Sequence, residues 1–180
     1  LRMSRGLGDV YKRQVYVYNH SARDLTEYLT RLEKAIDNPA VKVVQCKTVE
    51  ELVKASEIIC TTTPSKEPVL PNDKEMLRGK CIIAIGSYTP DMKEIPDAIW
   101  DLVERVYIEL PYACEESGDL SQPLAEGRLK KEQTVLMSDY LAEDPREITD
   151  TGETTYFKSV GMGLFDVCIA QKILEMTKER

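Results

Sequence analysis

One hundred and eighty residues, with 24 Lys+Arg against 31 Asp+Glu and 42% hydrophobic content, carry a net charge of -7 and suffice for one packed domain with room for an appendage. These values exclude a collagen, a disordered tail and a disulfide-stapled miniprotein, and the acidic balance disfavours nonspecific nucleic-acid binding. No run approaches the ~20 apolar residues that span a bilayer and no secretory signal opens the chain, so the expectation is a soluble, cytoplasmic protein with neither nucleic-acid nor membrane partners.

Residues 1–14 (LRMSRGLGDVYKRQ) hold four bases and one acid and show neither a strand nor a helix period. Ser4 to Gln14 match one translated frame of a sequencing-library transposase end, whose GAT GTG TAT AAG AGA CAG encodes Asp-Val-Tyr-Lys-Arg-Gln. The stretch is therefore expected to be an adaptor-derived tail, with Gly6-Leu7-Gly8 no phosphate loop and the natural chain cut upstream of Val15. From Val15 onward, β-branched runs predict strands at 15–18, 41–46, 57–63, 80–86 and 105–110. After the first strand, Ser21-Ala22-Arg23-Asp24 resembles a capping box. Leu25, Tyr28, Leu29, Leu32 and Ile36 then form a helical apolar stripe. Thr48-Val49-Glu50-Glu51 repeats the signal before a shorter helix with Leu52, Val53 and Ala55. The runs at 57 and 80 lack polar alternation, as strands covered on both faces do, which predicts a mainly parallel, doubly wound α/β sheet with right-handed crossovers. Pro64, Pro68 and Pro71 make 64–73 a loop, and 97–103 could form a short helix. Residues 111–155 read as mixed and loop-rich, and 162–178 as a final helix with Leu164, Val167, Cys168, Ala170, Ile173 and Leu174 apolar.

In an open parallel sheet, ligands sit beyond the carboxyl ends of the strands, where free amides converge. Three such ends are informative. Asn19, His20 and Ser21 follow the first strand, where a dinucleotide site reads the adenosine ribose. A neutral Asn19 leans toward NADP, although Ser21 could merely cap the helix and His20, the single histidine, could be a solvated turn residue. Thr61, Thr62 and Thr63 close the 57–63 run, as small hydroxyl residues that let a flat ligand approach or simply as a polar strand end. Gly86, Ser87 and Tyr88 follow the 80–86 run, with Gly86 permitting close approach of a cofactor or a positive φ. Ser159, Val160 and Gly161 precede the last helix, whose unpaired amides could face a ligand. With one histidine and five cysteines lacking any Cys-x-x-Cys pair, no metal site and no Ser-His-Asp order are expected, and the thiols read as reduced small hydrophobes. The acids Glu109, Glu115, Glu116 and Asp119 read as solvated surface.

Together these strand ends resemble the C-terminal, cofactor-binding part of the ornithine cyclodeaminase/mu-crystallin family. The resemblance runs from Val15 to about Lys178 and rests on EIICTTTPSKEPVL (57–70), IAIGSYTPDMKEI (83–95), EESGDL (115–120) and TTYFKSVGMGLFDVCIAQKI (154–173). It implies a Rossmann-like NAD(P) domain over residues 15–160, lacking its first strand and phosphate turn, with 161–180 a helix that returns to an absent N-terminal domain and would leave its apolar stripe exposed. By the same resemblance Asn19 touches the adenosine ribose, as in NADP-using members. Thr63 closes the fourth strand, Ile83, Ala84 and Ile85 supply the backbone before the glycine, and Ser159 lies near the last helix. Cyclodeaminases place an aspartate after the glycine turn, where this chain has Tyr88; a phenol with an ordinary pKa of about 10 does not replace a carboxylate base. The resemblance thus implies a protein that uses NAD or NADP to reduce a C=N bond of a cyclic ketimine or to oxidise a small amino acid. The alternatives are an ornithine cyclodeaminase and a non-catalytic NADPH-binding protein like some mu-crystallins. The family's substrate-binding Arg and Lys residues and its homodimer contacts belong to the absent domain, so this chain alone is expected to be inactive.

Overall fold

The computed structural model describes residues 14–21, 23–36, 38–142 and 152–178, and the expected tail at 1–14 falls outside it except for Gln14. The chain divides into two units, residues 1–56 and 57–180. The first holds β1 (Gln14–Val17), α1 (Thr26–Ile36), β2 (Lys42–Gln45) and α2 (Val49–Ala55). β1 and β2 pair in parallel, with Val15 opposite Val43 and Val17 opposite Gln45. α1 begins five residues later than the Ser21 signal suggests. Asp24 is the side chain that caps it, accepting from Thr26 N at 2.9 Å and Thr26 Oγ1 at 2.6 Å, because an ionised carboxylate is the stronger acceptor for the first-turn donors. Ser21 instead donates its amide to Asn19 Oδ1 at 3.3 Å, a local turn. α2 follows its predicted signal: Thr48 Oγ1 accepts from Glu51 N at 3.2 Å and Val53 is buried.

The second unit holds β3 (Ile58–Thr61), α3 (Lys74–Leu77), β4 (Cys81–Ala84), a 3-10 turn at Asp97–Asp101, β5 (Val106–Ile108), α4 (Ala113–Glu116), α5 (Gly118–Ala125), a 3-10 turn at Lys131–Gln133, β6 (Thr134–Leu136), α6 (Met137–Ala142), β7 (Thr155–Lys158) and α7 (Gly163–Lys178). Its five strands run in the order β3-β4-β7-β5-β6, and every pairing is parallel. The strand latest in the chain is thus the middle one. Ile59, Ile82, Ala84, Val106, Ile108 and Tyr156 are buried from the sheet, with Leu77, Ile95, Ile99, Leu120 and Leu129 packed from the connections. Trp100 meets Tyr156 edge-to-face with ring centroids 5.8 Å apart.

The segment 111–155, read as mixed and loop-rich, contains α4, α5, β6 and α6 in its described part, and residues 143–151 lie outside the described residues. α5 contains Pro123 and starts at a glycine, so propensity hides it, and tertiary packing of Leu120 and the Ser117 cap restore it. β7 escapes pattern analysis because its two buried positions are Tyr156 and Lys158. α7 exposes Leu164, Phe165, Val167, Ile169, Ile173, Leu174 and Met176. Among the described residues no helix is long and apolar enough to cross a membrane.

Candidate functional site

The order of the sheet brings the carboxyl ends of β3, β4, β7 and β5 side by side. Ile85 N donates to Thr61 O at 2.9 Å and Ser159 N to Ala84 O at 3.0 Å, extending the ladders into the ends themselves. Of the residues expected at a site, Thr61, Thr63, Ile83, Ala84, Ile85, Gly86, Ser159 and Val160 share this edge. Asn19, His20 and Ser21 are exposed residues of the other unit, after β1.

Glu94 ties the edge together. It is fully buried, and its carboxylate accepts from Thr61 Oγ1 at 2.9 Å, Thr63 N at 2.5 Å, Thr63 Oγ1 at 2.8 Å and Gly86 N at 2.7 Å. Four donors on one carboxylate use both oxygens fully. Gly86 earns its place by this closeness and has no positive φ: a Cβ there would overlap the backbone N and O of Thr63 and lie 2.6 Å from Glu94 Oε1. The close approach predicted for Gly86 is therefore made, but to the neighbouring strand end.

Ser87 turns inward. Its Oγ donates to Met92 O at 2.7 Å and meets Ser117 Oγ at 2.9 Å, so it is buried and holds the 87–92 loop against the start of α5. Gly118 completes that contact, since a Cβ on it would overlap the carbonyl oxygens of Met92 and Pro90. Tyr88, next to this anchored residue, is 52% exposed, with Ile85 at 43% and Tyr112 at 57%. Thr62 is exposed, and Ser159 and Val160 are half-buried.

Glu109, on the adjacent strand end, takes two backbone amides ahead of α7: its Oε1 accepts from Val160 N at 2.8 Å and Gly161 N at 2.6 Å. The reading of the 109–119 acids as solvated is corrected for two of them. Glu109 and Asp119 are buried, whereas Glu115 is exposed and Glu116 half-buried. Asp119 Oδ1 accepts from Glu94 N at 2.7 Å and Ile95 N at 3.0 Å, and Asp119 Oδ2 stands 3.3 Å from Lys158 Nζ. Burial pushes the Asp119 carboxyl up, against the pull of Lys158 and two amides, and pushes the Lys158 ammonium down, against Asp119, Glu94 and Glu109. Burial also raises Tyr156, with Asp119 and Glu94 acting in the same direction. Sequence reasoning missed Glu94, Asp119 and Lys158. The available signal was a charge set among apolar neighbours, in KEI, GDL and YFKSV. An open cavity of about 360 Å³ bounded by Asn72, Asp97, Trp100 and Arg128 contains none of the expected site residues.

A parallel α/β sheet whose strand ends form a shared, glycine-bearing edge is of the Rossmann-like fold class. Solved structures agree. The Δ1-pyrroline-2-carboxylate reductase of Thermococcus litoralis, solved in complex with NADH and L-proline, superposes with a TM-score of 0.76 at 20% identity over 93% of this chain and 51% of that one. A probable ornithine cyclodeaminase from Bordetella pertussis superposes with a TM-score of 0.70 at 26% identity over 87% and 49%. A family model for the ornithine cyclodeaminase/mu-crystallin family matches residues 9–180, and the chain belongs to that family. In sequence it is 28% identical over 169 residues to a Δ1-pyrroline-2-carboxylate reductase of Bacillus cereus, covering 93% of this chain and 50% of that protein. The chain spans about half the length of the relatives it matches.

Proposed function

We propose that this chain is the nicotinamide-nucleotide-binding half of an NAD(P)-dependent oxidoreductase that reduces the C=N bond of a cyclic ketimine or oxidises a small amino acid. The observation that supports it most is the shared edge: the ends of β3 and β4, locked together by Glu94 and flanked by the end of β7, present Ile85 and Tyr88 as an exposed, weakly polar surface suited to a flat ring. The residues fit the group. Thr62 and Ser159 offer hydroxyls, and the 83–85 backbone lies alongside. When bound, the reduced nicotinamide supplies the hydride. Asn19, His20 and Ser21 hold the adenosine ribose, with NADP favoured by the neutral Asn19 over an acid. Tyr88 stands where the family's cyclodeaminases carry an aspartate and, 52% exposed at the edge, is the candidate catalytic residue. The reading includes a small amino or imino acid as partner, a homodimer formed through the rest of the parent protein, a cytoplasmic location, and no turnover by this chain alone.

The test is nicotinamide oxidation followed by absorbance in the full-length parent with a cyclic imino acid. NADPH consumption is expected. Ammonia release from ornithine without net NADH accumulation would establish the cyclodeaminase instead, and tight cofactor binding without turnover would establish a binding protein.

A further inference from the structure

Beneath the exposed edge lies a buried charge cluster that holds the strand ends without facing a ligand. Lys158 closes β7, the middle strand, opposite Ala84 on one side and Ile108 on the other, and it is fully buried. Its ammonium stands 3.3 Å from Asp119 Oδ2, Asp119 in turn accepts from the backbone amide of Glu94, and Glu109 follows Ile108, the residue paired with Lys158 across the sheet, so all three carboxylates act on it. Each holds a different part of the edge. Glu94 takes the donors of Thr61, Thr63 and Gly86, Asp119 takes the amides of Glu94 and Ile95, and Glu109 takes those of Val160 and Gly161. Lys158 is thus ion-paired to the clamp that holds the loop carrying Glu94, and Glu94 in turn holds the ends of β3 and β4.

This arrangement is poor economy for stability. A fully buried ion pair loses more hydration than its attraction returns, and replacing such a pair by apolar groups is often neutral or stabilising. Burial outweighs the partner on both Asp119 and Lys158 here. What the cluster supplies instead is directed acceptors. An ionised carboxylate accepts on both oxygens, whereas a protonated one turns an acceptor into a donor and releases an amide.

We propose that Lys158 is a positioning residue: its ammonium balances Glu94, Asp119 and Glu109 so that the donors of Thr63, Gly86, Val160 and Gly161 stay fixed at the edge. The role in nucleotide binding rests on the function proposed above; the fixing of the edge does not.

The experiment is amide hydrogen exchange by NMR on the 180-residue chain, with carboxyl 13C shifts read alongside. In Lys158→Met, exchange at Thr63, Gly86, Val160 and Gly161 is expected to rise at least tenfold relative to Ile82 and Val106, with the Asp119 carboxyl, pushed up by burial and no longer held down by the ammonium, shifting to its protonated position at neutral pH. Lys158→Arg, which keeps the cation, is expected to retain most of the protection. Glu109→Leu, which removes the acceptor and leaves the Lys158–Asp119 pair in place, is expected to release Val160 and Gly161 while Thr63 and Gly86 stay protected. A folded Lys158→Met chain with unchanged exchange and carboxyl shifts overturns the proposal, as does a folded Lys158→Arg chain that loses protection equally. Should Lys158→Met fail to fold, Lys158→Gln, which removes the charge but keeps polar atoms for Asp119, decides: a folded Lys158→Gln chain with full protection at all four amides overturns it. If NADPH binds neither this chain nor the full-length parent while exchange behaves as stated, the functional reading fails and the positioning role stands.

Discussion

Gly86→Ala tests the close approach of the β3 and β4 ends. The added Cβ would overlap two backbone atoms of Thr63, which cannot swing aside, where real Cβ atoms stay beyond 3.0 Å. The two strand ends must therefore separate by about 1 Å, and overpacking of this kind costs about 1–3 kcal/mol. The same movement stretches Gly86 N–Glu94 Oε2, now 2.7 Å, or Thr63 N–Glu94 Oε1, now 2.5 Å. Hydrogen bonds to a charged group contribute about 1.5–3 kcal/mol, so losing one brings the expected loss to about 3–6 kcal/mol. That is a large part of the about 5–15 kcal/mol that holds a domain folded. At a urea slope of about 2 kcal/mol per molar, the unfolding midpoint falls by about 2 M or the chain fails to fold. Gly163→Ala is the control, since nothing lies within 4 Å of its Cβ position and its φ is not left-handed; it is expected to gain about 0.5 kcal/mol. A Gly86→Ala loss below about 1 kcal/mol would refute the claim that the β3 and β4 ends are locked by backbone contact.

Two further outcomes follow from the same chemistry. The Tyr156 hydroxyl is buried without a hydrogen-bond partner among the described residues and lies in the field of Asp119 and Glu94. Tyr156→Phe is therefore expected to raise the melting temperature, by about 1 kcal/mol of stability, while keeping the ring contact with Trp100; a loss of that size would show the hydroxyl to be bonded. Asp91 is held at about 2 by the Lys66 ammonium, 2.7 Å away, and by the Thr89 hydroxyl. Its folded value is depressed, so its contribution is present above the ordinary carboxylate range and is lost as pH falls through about 2. In a 13C titration Lys66→Ala should move the Asp91 midpoint up toward 4, and 1 M salt should move it part of the way, because the pair is exposed. An unmoved midpoint in Lys66→Ala would remove Lys66 as the cause.

The parallel α/β class, the first five strands and the last helix were legible in the sequence because they depend on local information. Unbroken β-branched runs such as EIICT and CIIAI mark strands covered on both faces, and Thr48 marks a helix start by its own hydroxyl. The candidate site was legible to the extent that it follows strand ends: Thr63, Gly86 and Ser159 were found because parallel strands must finish on one edge. β7 was not legible, since its buried residues are a tyrosine and a lysine, and neither was α5, whose Gly118 and Pro123 oppose a helix until packing enforces one.

Which side chains face inward at that edge was decided by tertiary structure alone. Ser87 looks like a ligand-facing hydroxyl in sequence and is a buried strut between two loops. Glu109 and Asp119 look like surface acids and are buried clamps on backbone amides. The physical reason is that a charge is excluded from the interior unless groups distant in the chain desolvate it and bond it together. Lys158, Asp119 and Glu94 come from β7, the start of α5 and the loop after β4, and only the strand order β3-β4-β7-β5-β6 brings them within reach of one another.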